Sequence, residues 1–185
     1  MNNSQQRKDI FAVLSIAALC LILYFNSLGN VFIFDDLHGI ADNLYIKNPR
    51  YIPLFFQGFY TSIPEIPKGM FRPLLLLTFS FNYFFSGLQP LGYHIINTLL
   101  HFLNGILLYL ILKFLNKKAG LGLLLSVCLL FIAHPINSET VTYISCRSDL
   151  LVTFLILSAF YTFIKNRIFL SGLLYIFDLL TKENA

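Results

Sequence analysis

The chain has no tryptophan, three cysteines in 185 residues, and only 12% charged side chains. Each shortage excludes something. A soluble domain carries about 25% charged residues, so a surface wetted on every side is ruled out. Cys20, Cys128 and Cys146 are odd in number and far apart, which speaks against a disulfide framework or a cysteine metal site. Cys20 and Cys128 lie in apolar runs, where a thiol serves as a small hydrophobe. There is no Gly-rich phosphate loop, no Gly-x-Ser-x-Gly and no Cys-x-x-Cys. The net charge of +4 calls for no nucleic acid, because the basic residues gather at the ends of hydrophobic runs.

What is present is apolar. Hydrophobic residues make up 57% of the chain and the mean hydropathy is +0.72. The fold class that follows is an all-α membrane protein, a multi-span helical bundle. The apolar runs place spans at 10–28, 91–115, 119–133, 136–163 and 168–180, with a loop over 29–90. The first run is too long for a signal peptide, and no small-x-small cleavage site follows it. The run 168–180 is short and interrupted by Asp178. The stretch 29–73 holds Pro49, Pro53, Pro64, Pro67 and Pro73, five of the seven prolines. Within it, 51–60 and 73–86 are aromatic and apolar but too short to span, since about 20 residues are needed. They are expected as interfacial helices.

Basic residues orient the spans. Arg7 and Lys8, then Lys113, Lys117 and Lys118, then Lys165 and Arg167 fall on one side. By the positive-inside rule that side is cytoplasmic. The other side receives Asp35-Asp36, His134-Pro135 and Thr181-Lys182-Glu183. Carboxylates are cheap to keep charged at the water boundary and expensive inside the hydrocarbon. An acidic pair just outside a span is suited to act as general base or metal ligand; a helix cap or solvated loop is the plainer alternative.

Two polar stripes run along the spans. His94, Asn97, His101 and Asn104 share one helix face; glue between helices is the expected role of the last three, while His94 lies nearest the acidic loop. Glu139, Thr142, Cys146, Asp149 and Thr153 form the second stripe. Arg147 lies off it, and residues two apart do not face each other, so an Arg147–Asp149 pair on one helix is disfavoured. Arg147 and Asp149 stand either as structural charges at the boundary or, for the arginine, as a phosphate ligand.

Taken in order, Phe34-Asp35-Asp36, Phe71-Arg72-Pro73-Leu74, Asn82-Tyr83, Gly92-Tyr93-His94, Ala133-His134-Pro135 with Glu139, Arg147-Ser148-Asp149-Leu150-Leu151 and Lys182-Glu183-Asn184 form a recognisable series. It resembles the membrane domain of the transmembrane and tetratricopeptide-repeat O-mannosyltransferase-like proteins, within the wider GT-C glycosyltransferases. The resemblance implies a glycosyltransferase that moves a mannose-like sugar from a polyprenyl-phosphate carrier to a hydroxyl on a protein or glycan acceptor, on the extracytoplasmic or lumenal side. It assigns Asp35 and Asp36 to catalysis, one of them acting directly as base. Substrate contacts fall to Arg72, His94, His134, Glu139, Arg147, Asp149, Lys182 and Glu183, with an arginine on the carrier phosphate. Metal use varies in that family, so a divalent metal stays open. Members of the family continue into further spans and helical repeats, and no 34-residue repeat is visible here; a fragment or truncated product is expected, the alternative function being a non-catalytic membrane scaffold.

Overall fold

The computed structural model describes residues 3–62 and 70–182, and these are helical, with no strand among them. Helix α1 covers Asn3–Tyr24 and runs on through a 3₁₀ turn, Phe25–Gly29. Then come a π turn at Leu37–Ala41, a 3₁₀ turn at Pro49–Tyr51 and the short α2, Ile52–Phe55. Helices α3 (Pro73–Ser86), α4 (Pro90–Leu115), α5 (Leu121–Ala133), α6 (Asn137–Thr142), α7 (Arg147–Ile164) and α8 (Ile168–Leu179) follow. Prolines at the first turns of α3 and α4 suit positions whose N–H has no helical partner.

Three segments are long and apolar enough to cross a membrane: Asn3–Gly29, Pro90–Leu115 and Ile144–Ile164. The 13 residues of α5 and 12 of α8 reach about 20 Å at most, short of a hydrocarbon core of about 30 Å. From Ile10 onward α1 is apolar on nearly every face, as a lipid-facing helix should be, but it buries one stripe, Ala12, Ile16, Cys20 and Tyr24. That stripe packs on α4 and α5. A Cβ on Gly105 of α4 would lie 2.9 Å from Ile132 and 3.0 Å from Ile16, so the three helices close together only over a glycine.

The bundle has a basic end and an acidic-loop end. At the basic end the Lys113 ammonium holds Asp9 at 2.6 Å, and Lys165 lies over the Phe114 ring at 4.4 Å. At the other end α3 folds back on α4 through Gly87, whose φ of +54° favours glycine. Leu75, Leu76 and Phe79 of α3 pack there with Tyr93, Ile144 and the loop residues Ile40, Ile46 and Phe55. α8 returns to the same end, where Leu74 N–H donates to the Leu180 carbonyl at 3.0 Å.

The run expected as one helix over 136–163 is divided. Tyr143 is extended (φ −94°, ψ 117°) between α6 and a 3₁₀ turn at Ile144–Cys146. Nothing in the local sequence breaks the helix. Distant side chains take over the freed backbone groups instead. The Asn97 amide donates to the Val141, Tyr143 and Ile144 carbonyls at 3.3–3.5 Å. The Ser145 N–H donates to Asp36 at 2.8 Å.

Candidate active site at the acidic loop

The two adjacent carboxylates sit in opposite surroundings. Asp36 is 1% exposed. Its Oδ1 accepts from the Ser145 backbone N–H (2.8 Å) and hydroxyl (2.6 Å), and its Oδ2 accepts from the Ile33 N–H (3.2 Å). Burial raises its pKa above the usual carboxylate range, and the bonds from Ser145 and Ile33 oppose that shift. Asp35 is exposed. Its backbone N–H donates to the Tyr143 hydroxyl oxygen at 2.9 Å. Both residues are thus tied to the break between α6 and α7.

The turn carrying them is strained. Phe34 has φ of +44°, a region costly for a bulky L-residue. Conformations of this kind cost of order 1–3 kcal/mol and persist only where the surroundings enforce them. Here the enforcement is visible: Asp36 N–H donates to Ile33 O, Leu37 N–H to Phe34 O, and the Asp36 carboxylate clamps the turn to Ser145. The Phe34 ring itself is exposed.

Two phenols flank Asp35. The Tyr60 hydroxyl lies within electrostatic reach of Arg72, Asp35, Tyr143 and Asp36; burial pushes its pKa up to about 12, against the lowering charge of Arg72. The Tyr143 pKa is raised too, by burial and by the negative charges of Asp35 and Asp36. Tyr60 and Tyr143 were not singled out in the sequence. Their place depends on residues far along the chain, since Tyr143 meets Asp35 across 108 positions. Arg72 stands at the N-cap position of α3. An exposed carboxylate whose backbone N–H is held by one phenol, with a second phenol and an arginine within electrostatic reach of one another, combines an acceptor with several donors.

The remaining candidates divide. His94 is buried beside the Asn30 backbone and within electrostatic reach of Asp36, with neither ring nitrogen at full hydrogen-bonding geometry. Asp149 accepts from Lys182 at 2.5 Å, so α8 closes on α7 here. The charges of Glu139, Asp149 and Lys182 all reach Cys146. His134 is exposed just past α5, its Nδ1 accepting from the Ile136 N–H at 3.3 Å. Glu183 lies outside the described residues. Among the described residues no three of His, Cys, Asp and Glu converge to hold a metal ion.

Arg147 requires a correction. It has no exposed surface. Its Nε donates to Asn97 (2.8 Å), and its Nη2 donates to Asn82 (2.9 Å) and to the Tyr93 carbonyl (3.0 Å). The guanidinium also stacks over Phe79 at 4.7 Å and lies 5.6 Å from the Tyr93 ring centre. A group so enclosed offers no face to a carrier phosphate. It joins α3, α4 and α7. His101 and Asn104 do similar work, bonded to the Ile132 carbonyl (3.2 Å) and the Leu150 carbonyl (3.1 Å).

The motif order resembled one family, and the chain's relatives carry that family's name. Protein O-mannosyl-transferase TMTC3 of Mus musculus is 33% identical over 164 residues, 86% of the chain and 17% of that protein. Protein O-mannosyl-transferase Tmtc3 of Drosophila melanogaster is 31% identical over 185 residues, 89% of the chain and 20% of its own length. Protein O-mannosyl-transferase TMTC1 of Homo sapiens is 34% identical, covering 84% of the chain and 18% of itself. The chain is a homologue of the TMTC proteins. It spans about a fifth of the length of these TMTC relatives. No family model matches it, and no solved structure matches it significantly.

Proposed function

We propose that this TMTC homologue carries the acidic-loop part of a GT-C-type active site, which transfers a mannose-like sugar from a polyprenyl-phosphate carrier to a hydroxyl acceptor. The observation that carries the reading is the division between the carboxylates. Asp36 is fixed by three donated hydrogen bonds, and Asp35 is left exposed on a strained, anchored turn. In this reading Asp35 is the base. It takes the proton of the acceptor hydroxyl as that oxygen bonds to the sugar's anomeric carbon. The bond from that carbon to the carrier phosphate breaks, and the carrier leaves with the electron pair. Arg72 supplies charge-assisted hydrogen bonds to the phosphate. Asp36 and Tyr143 position Asp35. Arg147 belongs to the scaffold.

In the same reading the acidic-loop end faces the exterior or the lumen and the basic end faces the cytoplasm, in keeping with Lys113, Lys117 and Lys165 at the basic end. The test is turnover of a lipid-phosphate sugar by the intact protein. Asp35→Asn is expected to lower kcat at least a hundredfold, within the range for loss of a general base. Wild-type turnover in that variant would remove Asp35 from catalysis, whereas no turnover by the intact unmutated protein would favour a non-catalytic membrane scaffold.

A further inference from the structure

A hollow of about 230 Å³ opens at the basic end, between α1, the end of α4 and the start of α5. Its wall is mostly polar and includes Gln5, Lys8, Lys113, Asn116 and Lys117. The Lys113 charge is already answered, since both Asp9 oxygens lie 2.6 Å from its ammonium. Lys8 and Lys117 are exposed and have no carboxylate partner among the described residues. α5 begins beside them at Gly120, which has no side chain to cap the first N–H groups. Two ammonium groups without a carboxylate partner, Lys117 with only the Phe114 ring 6.0 Å away, and an open helix start make a cradle for an anion. The surroundings name its source. The wall passes into Leu121 of α5, whose half-buried face continues through Leu125 and Leu129, and the hollow lies where the spans Asn3–Gly29 and Pro90–Leu115 reach the membrane boundary. A free anion would gain nothing from that apolar continuation, whereas a lipid places its headgroup in the cradle and its chains along α5.

We infer that this hollow is a binding site for the headgroup of an anionic phospholipid. The Asp9–Lys113 pair forms its back wall and keeps α1 on α4. Lys8 and Lys117 contact the phosphate. Basic pockets between membrane helices are suited to anionic headgroups, at about 1 kcal/mol per basic residue near the surface.

Purified chain in zwitterionic detergent is titrated with phosphatidylglycerol, phosphatidylcholine or inorganic phosphate, and retained lipid is counted by native mass spectrometry. Phosphatidylglycerol is expected to bind selectively. The double variant Lys8→Gln, Lys117→Gln is expected to bind it roughly thirtyfold more weakly. Lys165→Gln removes a charge from the same end but outside the hollow, and should leave binding unchanged. The inference is overturned by wild-type affinity in the double variant. Equal weakening in Lys165→Gln overturns it too, since that marks diffuse attraction to the whole basic end. So does inorganic phosphate that displaces the lipid at equal concentration, since that marks an ion site without a lipid.

Discussion

Arg147 and Asp35 stand at the same end of the bundle, yet the structure treats their charges in opposite ways. Arg147 is enclosed and bonded to neutral oxygens of α3 and α4. Asp35 is exposed, and among the described residues only its backbone is held. A buried cation is tolerable when its donors are matched, and then it fixes which helices meet. An exposed carboxylate fixes nothing but remains available for chemistry. Asp36 shows which of these a carboxylate becomes once it is buried: it turns into a clamp, adjacent in sequence to Asp35 and opposite to it in role. The lesson is that burial with matched partners turns a boundary charge into a structural tie, as at Arg147 and Asp36, while an exposed charge such as Asp35 ties nothing.

The sharpest way to break this contrast is at Arg147. Arg147→Ala leaves the Asn97, Asn82 and Tyr93 oxygens without their donor and opens space beneath Phe79. A loss of roughly 3–5 kcal/mol is expected, near the upper end for single substitutions. Thermal unfolding in detergent reads it, and Arg147→Lys should recover only part because an ammonium lacks the fork of donors. A melting temperature within a degree of wild type would move Arg147 out of the scaffold. Asp35→Asn should have the reverse profile, with turnover lost and the stability unchanged to within about 0.5 kcal/mol.

Asp36 sharpens the contrast through pH. Its folded pKa is raised by burial, so the folded state holds its proton more tightly than the unfolded state does. Stability from this group is therefore full below the unfolded value of 3.8 and is lost as pH rises through the folded value. Wild type should show that decline on top of any other titration, and Asp36→Asn should lack it. Parallel stability profiles for the two proteins would mean that Asp36 is solvated.

Tyr143→Phe comes next in size. It removes the oxygen that accepts the Asp35 N–H, at a cost of about 1 kcal/mol. A drop in kcat of up to about tenfold with KM little changed would mark Tyr143 as a positioning residue; a change confined to KM would make it a substrate contact instead. The smallest effect is expected at the Asp149–Lys182 pair, whose members are partly exposed. Lys182→Gln should cost under about 1 kcal/mol, and the cost should shrink further in high salt.

Much of this arrangement was legible in the residues, for reasons that also explain the rest. Helical class and membrane character followed from composition, since sparse charge and long apolar runs leave few alternatives. The glue role of Asn97, His101 and Asn104 followed from their spacing on α4, and each is indeed bonded to a carbonyl of a neighbouring helix or turn. The burial of Arg147 did not follow. It depends on Asn82 and Tyr93, which reach it from other helices, and a cation near a helix start looks the same in sequence whether it faces water or protein. The break at Tyr143 was hidden for a related reason, because Asp36 and Asn97 stabilise it from far along the chain. The division of labour between Asp35 and Asp36 turns on Ser145, whose bonds to Asp36 span 109 positions.

The exposure difference between the two carboxylates is the central claim, and it can be measured directly. The folded protein is treated with a water-soluble carbodiimide and an amine, and the peptide containing both residues is sequenced by mass spectrometry. The account predicts modification at Asp35 with Asp36 protected until the protein is unfolded. Equal labelling of both in the folded protein, or preferential labelling of Asp36, would contradict it.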